Sequence, residues 1–463
     1  MLVSKFGGTS VGSTERFLAL TDILRADPDP RRVVVVSAMS GTTSALINGA
    51  RAAAEGDGDQ YRDVRKALAR RHLDTVQALL GSSDERGPLE AYIEGRLSDY
   101  CSVCDAIAML GELTMRGHDA VASIGEELSS RMLAALLRSQ DVAAEAVSAT
   151  KLVVTDGHFG GARPDFSATR ERVRARLLPM IDAGVLPVVT GYIGATPEGI
   201  TTTLGRGGSD YTASILGVSL DADQVWIWTD VNGILTADPK LVPDAHTLPE
   251  LSYVEAEELA YFGASVLHPK TVAPLAEGAI DLRVLNSFAP SDSGTRIVPT
   301  PNAERVVMPA IISTDGLCLV QVAGNGTGWS LALASRALQA LDEAGVEVFM
   351  YSQAFSERSL NLVLPQHDQE HSIHVLERAL ERDIESGLVS RIEVEEAVAS
   401  VSVVGMPDLA GTPIIPRAFA ALGNLGIRIV SVAQASSEYS VSFIIAEEDL
   451  PRAVPRIHQE LGL

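Results

Sequence analysis

Positive charge is scarce in this 463-residue chain: 37 Lys and Arg stand against 60 Asp and Glu, a formal net charge of −23. That balance excludes nucleic acid and an anionic membrane as partners, because both are held by basic surface. Cysteine is nearly absent, at three residues. Cys101 and Cys104 form a C-x-x-C without a second pair or a histidine cluster, whereas a structural zinc needs about four such ligands. They read as helix residues of a reduced chain, and no metal site of the protein's own is expected. No apolar run is long enough to span a bilayer. The chain enters the strand pattern "LVSKF" at once, with a lysine where a secretory leader would be apolar. The expected location is therefore the cytoplasm. The length exceeds what one core accommodates and points to two or three domains.

The first ~290 residues alternate strand and helix patterns, the rhythm of an α/β sandwich around a largely parallel sheet. "LVSKF" (2–6) runs into "GGTSVGS" and then the amphipathic "TERFLALTDILR". "VVVVSAM" (33–39) is a continuous β-branched run, as in a strand buried on both faces. Residues 61–138 read as mainly helical, and "VLPVVTGYIGA" (185–195) and "QVWIWTDV" (224–231) as further buried strands. Ligands of such sheets bind beyond the carboxyl ends of the strands. The polar loops after "SKF", "VVVVS", "VVTGY" and "WIWTD" are thus where chemistry is expected. The stretch 290–305, rich in Pro, Ser, Asp and Gly, reads as a domain boundary. Beyond it, 320–364 and 401–445 align without a gap at a constant offset of 81, so that Gly324 meets Gly405 and Gln353 meets Gln434. Each copy has the pattern of a βαββαβ module.

Three loops hold residues suited to anions. "SKFGGTS" (4–10) ends a strand and opens a helix. Gly7 and Gly8 let backbone N–H groups approach a phosphate, and Lys5 adds a point charge beside them; a glycine turn with a salt-bridged lysine would read the same. "TTTLGRGGSDYTA" (201–213) places Arg206, Ser209 and Asp210 among three glycines. It has neither the lysine of a Walker P-loop nor the G-x-G-x-x-G of a dinucleotide fold. "WTDVNGILTADP" (228–239) brings Thr229 and Asp230 to a strand end, where they could hydrogen-bond a ribose or base or simply form a turn. Glu126 stands in the first turn of "GEELSSRMLAALL", a place the helix dipole favours for any acid.

Taken in order, "KFGGTSV", "GEELSSRMLAA", "TTTLGRGGSDYTA", "IWTDVNGILTADP" and "YFGASVLHPKT", followed by a tandem βαββαβ pair, resemble the aspartate kinases of the amino-acid kinase superfamily with two C-terminal ACT domains. The threonine-sensitive type resembles this chain most, without the dehydrogenase that bifunctional members carry. The resemblance implies a three-layer αβα catalytic domain over 1–297 and ferredoxin-like ACT domains over 306–392 and 393–463, with strand residues from 306–316 available to the second. It implies ATP-dependent phosphorylation of the β-carboxylate of L-aspartate, with Mg²⁺ accompanying ATP, as the first step towards lysine, threonine and methionine. Lys5 would stabilise charge on the transferred phosphoryl group, with Gly7, Gly8 and Ser37 along the phosphate path. Arg206 would grip a substrate carboxylate, Glu126 the α-ammonium, and Thr43 and Ser209 would hydrogen-bond the aspartate. Asp210 would orient Lys5 and the Mg²⁺-ATP phosphates, and Thr229, Asp230, Leu235 and Lys240 would border the nucleotide.

Three positions depart from the family pattern. Ser265 replaces a lysine, Lys240 an arginine and Leu235 an aromatic residue, which together imply weakened ATP affinity. Gln353 and Gln434 are the implied effector residues. Phe349, where lysine-responsive relatives carry an acid, favours threonine over lysine as effector, because a buried ammonium without a carboxylate is costly. ACT sheets of this kind imply a homodimer or homotetramer. Two other readings compete: a superfamily kinase for a different acid, and an amino-acid sensor with little catalysis.

Overall fold

The computed structural model describes residues 1–26, 29, 31–261, 267–302, 308–325, 330–354, 358–405, 414–434 and 440–463. The chain divides into two compact units: 1–234, 247–260 and 265–305 form the first, and 235–246, 261–264 and 306–463 the second.

The first unit is built on a sheet of eight strands among the described residues. They are β1 (Leu2–Phe6), β2 (Arg32–Val36), β3 (Ala144–Val147), β4 (Leu186–Thr190), β7 (Gln224–Thr229), β8 (Glu250–Ser252), β9 (Asp281–Asn286) and β10 (Thr295–Val298). Their spatial order is β3-β4-β2-β1-β7-β9-β10-β8, with every pairing parallel except β9 with β10. A small antiparallel hairpin, β5 (Ile193–Ala195) and β6 (Thr201–Thr203), stands apart from it.

The "VVVV" run forms a strand because both of its faces are covered. Val33 through Val36 are all fully buried. Successive side chains alternate between faces. Phe6, Val34, Val36, Val188 and Trp228 lie on one face, in a cluster with the helices Thr14–Ala26, Thr42–Ala54 and Ile124–Ser139. The other face meets the helix Gly208–Leu220, whose Gly217 leaves no room for a methyl against Val225. The expected helical block is a long hairpin of Gly58–Leu80 and Arg86–Leu110. Cys104 is buried and Cys101 half-buried in its second helix, and desolvation pushes both thiols up.

The second unit is a six-stranded antiparallel sheet, β12-β13-β11-β14-β16-β15. Its strands are β11 (Ala310–Gly324), β12 (Met350–Ala354), β13 (Ser359–Pro365), β14 (Val389–Val404), β15 (Ser431–Gln434) and β16 (Ser440–Ala446). The duplication seen in the sequence is a duplication of half-sheets. The far half of β11, from Leu317 on, pairs with β13, while Ala310–Thr314 pairs with Val404–Ser400 of β14. β14 passes from one half to the other in the same way, so each half borrows a strand segment from the other copy. Helices Leu331–Glu343 and Gln369–Ala379 cover one half, and Ile414–Asn424 and Leu450–Leu461 the other. On the opposite face Leu319, Met350 and Val363 of one half cluster with Val398 and Ile444 of the other. Ser352 and Ser431, on the edge strands, come within 3.3 Å.

Within the span 1–297, one segment packs with the second unit. Residues 235–246 belong to the second unit, where Ala237 and Val242 enter the core formed by Ile311, Val401, Phe443 and Ile457. The Ile311 N–H donates to the Thr236 carbonyl at 2.8 Å. The Thr236 hydroxyl lies 3.0 Å from Nε2 of His458, a buried histidine. The physical reason is apolar burial: Leu241 and Ala245 also pack against that core, and apolar residues in a loop segment do not announce in sequence which core they join.

Candidate active site

The parallel strands β4, β2, β1 and β7 all end at the same edge of the first unit's sheet, and a cavity of about 500 Å³ opens beyond β1, β2 and β4. Its lining includes Lys5, Gly8, Ser37, Thr43, Glu126, Tyr192, Arg206, Ser209 and Asp210. Five segments that are remote in sequence thus deliver polar side chains to one place.

Lys5 is the penultimate residue of β1 and is buried, 7 % exposed. Its ammonium pairs with Asp210 at 2.6 Å. The loop that follows is held tightly. The Gly7 N–H donates to the Trp228 carbonyl at 3.1 Å, and the Ser40 N–H to the Gly8 carbonyl at 3.2 Å. A Cβ on Gly8 would lie 2.9 Å from the Ala38 carbonyl oxygen, so only glycine lets the loops after β1 and β2 approach this closely. Ser37 continues β2, and its N–H donates to the Phe6 carbonyl at 3.1 Å.

"TTTLGRGGSDYTA" spans β6, a turn and the first turns of helix Gly208–Leu220. Arg206 sits between two left-handed glycines, Gly205 (φ 78°) and Gly207 (φ 71°). It is exposed and forms no ion pair among the described residues. Ser209 and Asp210 follow in the first turn of the helix, where unpaired N–H groups and the dipole favour an anion.

Glu126 opens helix Ile124–Ser139 and is 4 % exposed. Burial pushes its carboxyl up to about 8, although its own N–H and that of Ala38 hydrogen-bond the charged form. Its Oε2 is buried without a hydrogen-bond partner. Such a group stays protonated at neutral pH unless a cation comes to it. Thr43 faces it across Gly125, whose Cβ would stand 3.6 Å from the Thr43 hydroxyl.

Thr229 ends β7 and Asp230 follows it in the first unit; the Thr229 hydroxyl donates to the Asp230 carboxylate at 3.3 Å, and Asp230 is exposed. Leu235 and Lys240 fall in the second unit, where Lys240 is exposed. Ser265 lies outside the described residues, as does the whole of "FGASV" (262–266). In the second unit Gln353 buries its Nε2 without a partner beside a cavity of about 540 Å³ lined by Ser335, Gln339, Asp342 and Tyr351. Gln434 is exposed at the matching position. Phe349 packs on the Leu319–Met350–Val363 face.

Two further residues of the site carried no sequence signal. Tyr192 lines the cavity from a left-handed backbone (φ 70°). Arg71, from the helical hairpin, donates to the carbonyls of Ser40 (2.7 Å) and Gly12 (3.0 Å) and ties both phosphate-type loops to that helix.

A mainly parallel sheet whose strand ends open on one polar cavity, with a lysine–aspartate pair in it, and a second unit of two half-sheets define an α/β domain with a strand-end site followed by a duplicated antiparallel module. Residues 1–286 match the model of the Amino acid kinase family, and 401–461 that of an ACT domain. Aspartokinase 1 of Arabidopsis thaliana is 32% identical, over 99% of this chain and 79% of its own. The chain belongs to the amino acid kinase family, on its aspartokinase branch. The bifunctional aspartokinase/homoserine dehydrogenase 1 of Zea mays is 33% identical over the whole chain, which spans about half the length of that relative. Among solved structures, E. coli aspartokinase III with aspartate and ADP is similar along the full length of both chains, at 30% identity and a TM-score of 0.84. The same E. coli enzyme with lysine and aspartate is similar at 31% identity and a TM-score of 0.78, over 100% of this chain and 99% of that one.

Proposed function

We propose that this chain transfers the γ-phosphoryl group of ATP to the β-carboxylate of L-aspartate, giving 4-phospho-L-aspartate and ADP, as the entry to lysine, threonine and methionine. The observation that carries this reading is the 2.6 Å Lys5–Asp210 pair in one cavity with Arg206 and the unpartnered Glu126. One cation with a counter-ion serves the phosphates; one cation and one anion remain for the two ends of an amino acid.

Phosphoryl transfer asks mainly for alignment and charge neutralisation. Glu126 takes the α-ammonium and Arg206 grips a carboxylate through its planar fork, with Thr43 and Ser209 adding hydrogen bonds. That leaves the β-carboxylate facing Lys5. An oxygen of the β-carboxylate attacks the γ-phosphorus as the bond to the β,γ-bridging oxygen breaks, and ADP leaves. Lys5 neutralises charge on the transferred group, while Gly7, Gly8 and Ser37 leave the phosphates room. Thr229 and Asp230 border the nucleotide in this reading.

Among the described residues no group of three or more acidic, histidine or cysteine side chains could cage a metal. A single carboxylate, Asp210, beside a phosphate site fits Mg²⁺ that arrives on ATP and keeps most of its ligands as phosphate oxygens and water. Bound there, Mg²⁺ would supply charge neutralisation on the phosphates. A pathway amino acid, threonine by preference, binds the second unit at Gln353 and Gln434 and regulates turnover. The chain works as a homodimer or homotetramer through those modules.

Trapping of aspartyl phosphate by hydroxylamine tests the reading. Aspartyl hydroxamate should form with aspartate and ATP. Its absence with aspartate, alongside ADP release with another acid, would overturn the substrate assignment.

A further inference from the structure

Asp119 lies outside every motif above, on the short helix Met115–Ala122, and none of its side chain is exposed. A buried carboxylate is tolerated only where hydrogen bonds replace its water. Those bonds come from elements far away in sequence. Asp119 Oδ2 accepts from the N–H groups of Gly160 and Thr203, both at 2.9 Å. Its Oδ1 accepts from the Thr203 hydroxyl at 2.8 Å and lies 3.3 Å from Nδ1 of His118. Gly160 borders the active-site cavity, and Thr203 is the last residue of β6, three before Arg206.

The two segments meet beside that arginine. The Ala162 N–H donates to the Thr203 carbonyl at 2.9 Å. A Cβ on Gly205 would stand 3.1 Å from the Gly160 carbonyl oxygen. From the other side Lys270 Nζ reaches the Leu204 carbonyl at 3.4 Å, and a Cβ on Gly207 would lie 2.8 Å from the His268 Cβ. Arg206 itself is exposed, long and flanked by glycines, the residues least able to hold a backbone direction. Its aim must be set by what grips the turn from outside.

We propose that Asp119 is a positioning residue for amino-acid binding: its buried carboxylate joins the Gly160 loop to the end of β6 and so fixes where Arg206 points. The proposal rests on the reading of Arg206 as the anchor for a carboxylate of aspartate.

The test is steady-state kinetics of the full chain, with melting temperatures, for the wild type, Asp119→Asn, Thr203→Val, Arg206→Ala and the Asp119→Asn/Arg206→Ala double variant. Asp119→Asn removes the negative charge and keeps an oxygen on the two N–H groups only by turning its amide donors on the Thr203 hydroxyl and His118 Nδ1. It should raise KM for aspartate at least about tenfold, leaving KM for ATP and kcat at saturating aspartate within about threefold. Thr203→Val should act in the same direction, and where Asp119→Asn fails to fold it carries the test alone. In the Arg206→Ala background the Asp119→Asn change should have little further effect on KM for aspartate, because the group it positions is gone. A lowered melting temperature with unchanged KM for aspartate, or an equal effect in both backgrounds, would overturn the proposal. An unchanged KM in Arg206→Ala alone would overturn the reading of Arg206 beneath it.

Discussion

Glu126 combines deep burial, a vacant hydrogen-bonding oxygen and a carboxyl pushed up to about 8. Burial is the largest cause, and a substrate ammonium would reverse its effect by favouring the ionised form. Because the folded-state value stands above that of an ordinary glutamate, the ligand-free protein loses stability as pH rises from about 4.5 towards 8, where the group must ionise in a dry site. Binding has the opposite sign, since an incoming ammonium prefers the ionised carboxylate. KM for aspartate should therefore fall by up to about tenfold per pH unit between 6 and 8 and level off above it. Glu126→Gln should flatten that profile at a raised KM, and a wild-type KM that does not change over this range would remove Glu126 from substrate binding. The neighbouring charges divide differently. Arg206→Ala should mainly raise KM for aspartate, whereas Asp210→Ala, which frees the Lys5 ammonium from its 2.6 Å partner, should mainly lower kcat.

At the scale of elements, the site depends on loops that approach one another more closely than side chains would allow. Gly8→Ala would press a methyl onto the Ala38 backbone carbonyl at 2.9 Å, and neither partner is a flexible side chain. The expected result is a fall in kcat/KM for ATP of about a hundredfold, with a stability loss of about 1–3 kcal/mol, read by initial rates and thermal denaturation. A variant with wild-type kinetics would show that the loop after β1 has room to spare. This half of the site was legible in the sequence because its information is local: strand, glycines, lysine and helix start follow one another within a dozen residues. The "GRGG" turn was legible for the same reason. Asp119 and Arg71 were not. Asp119 bonds to residues 41 and 84 positions away, and Arg71 to one 59 positions away. A buried acid on a short helix has the same local pattern as a solvated one. Which unit takes 235–246 was not legible either, because Ala237, Leu241, Val242 and Ala245 pack on a core whose other members lie more than sixty residues away.

At the scale of the whole molecule, the two half-sheets of the second unit are alike in sequence but not in surroundings. Gln353 buries an unpartnered amide nitrogen beside a cavity, while Gln434 at the repeat-equivalent position is exposed. An unsatisfied buried donor costs about 1–3 kcal/mol, so an effector carboxylate or hydroxyl that accepts from Gln353 gains more there than at Gln434. Phe349 packs on an apolar face and does not line that cavity, whose lining includes the Asp342 carboxylate. The buried donor suits an effector that accepts a hydrogen bond and Asp342 suits its ammonium, so the choice of threonine rests on the hydroxyl that Gln353 could meet. Threonine should therefore inhibit turnover on its own, with a coupling worth about 5–150-fold in apparent affinity between effector and substrate. Gln353→Ala should raise the threonine concentration for half-inhibition by more than Gln434→Ala does. Initial rates across a titration of threonine, lysine and the two together decide the matter. Strong inhibition by lysine alone would reverse the effector assignment, and equal sensitivity of the two glutamine variants would show that burial does not set which half-sheet binds.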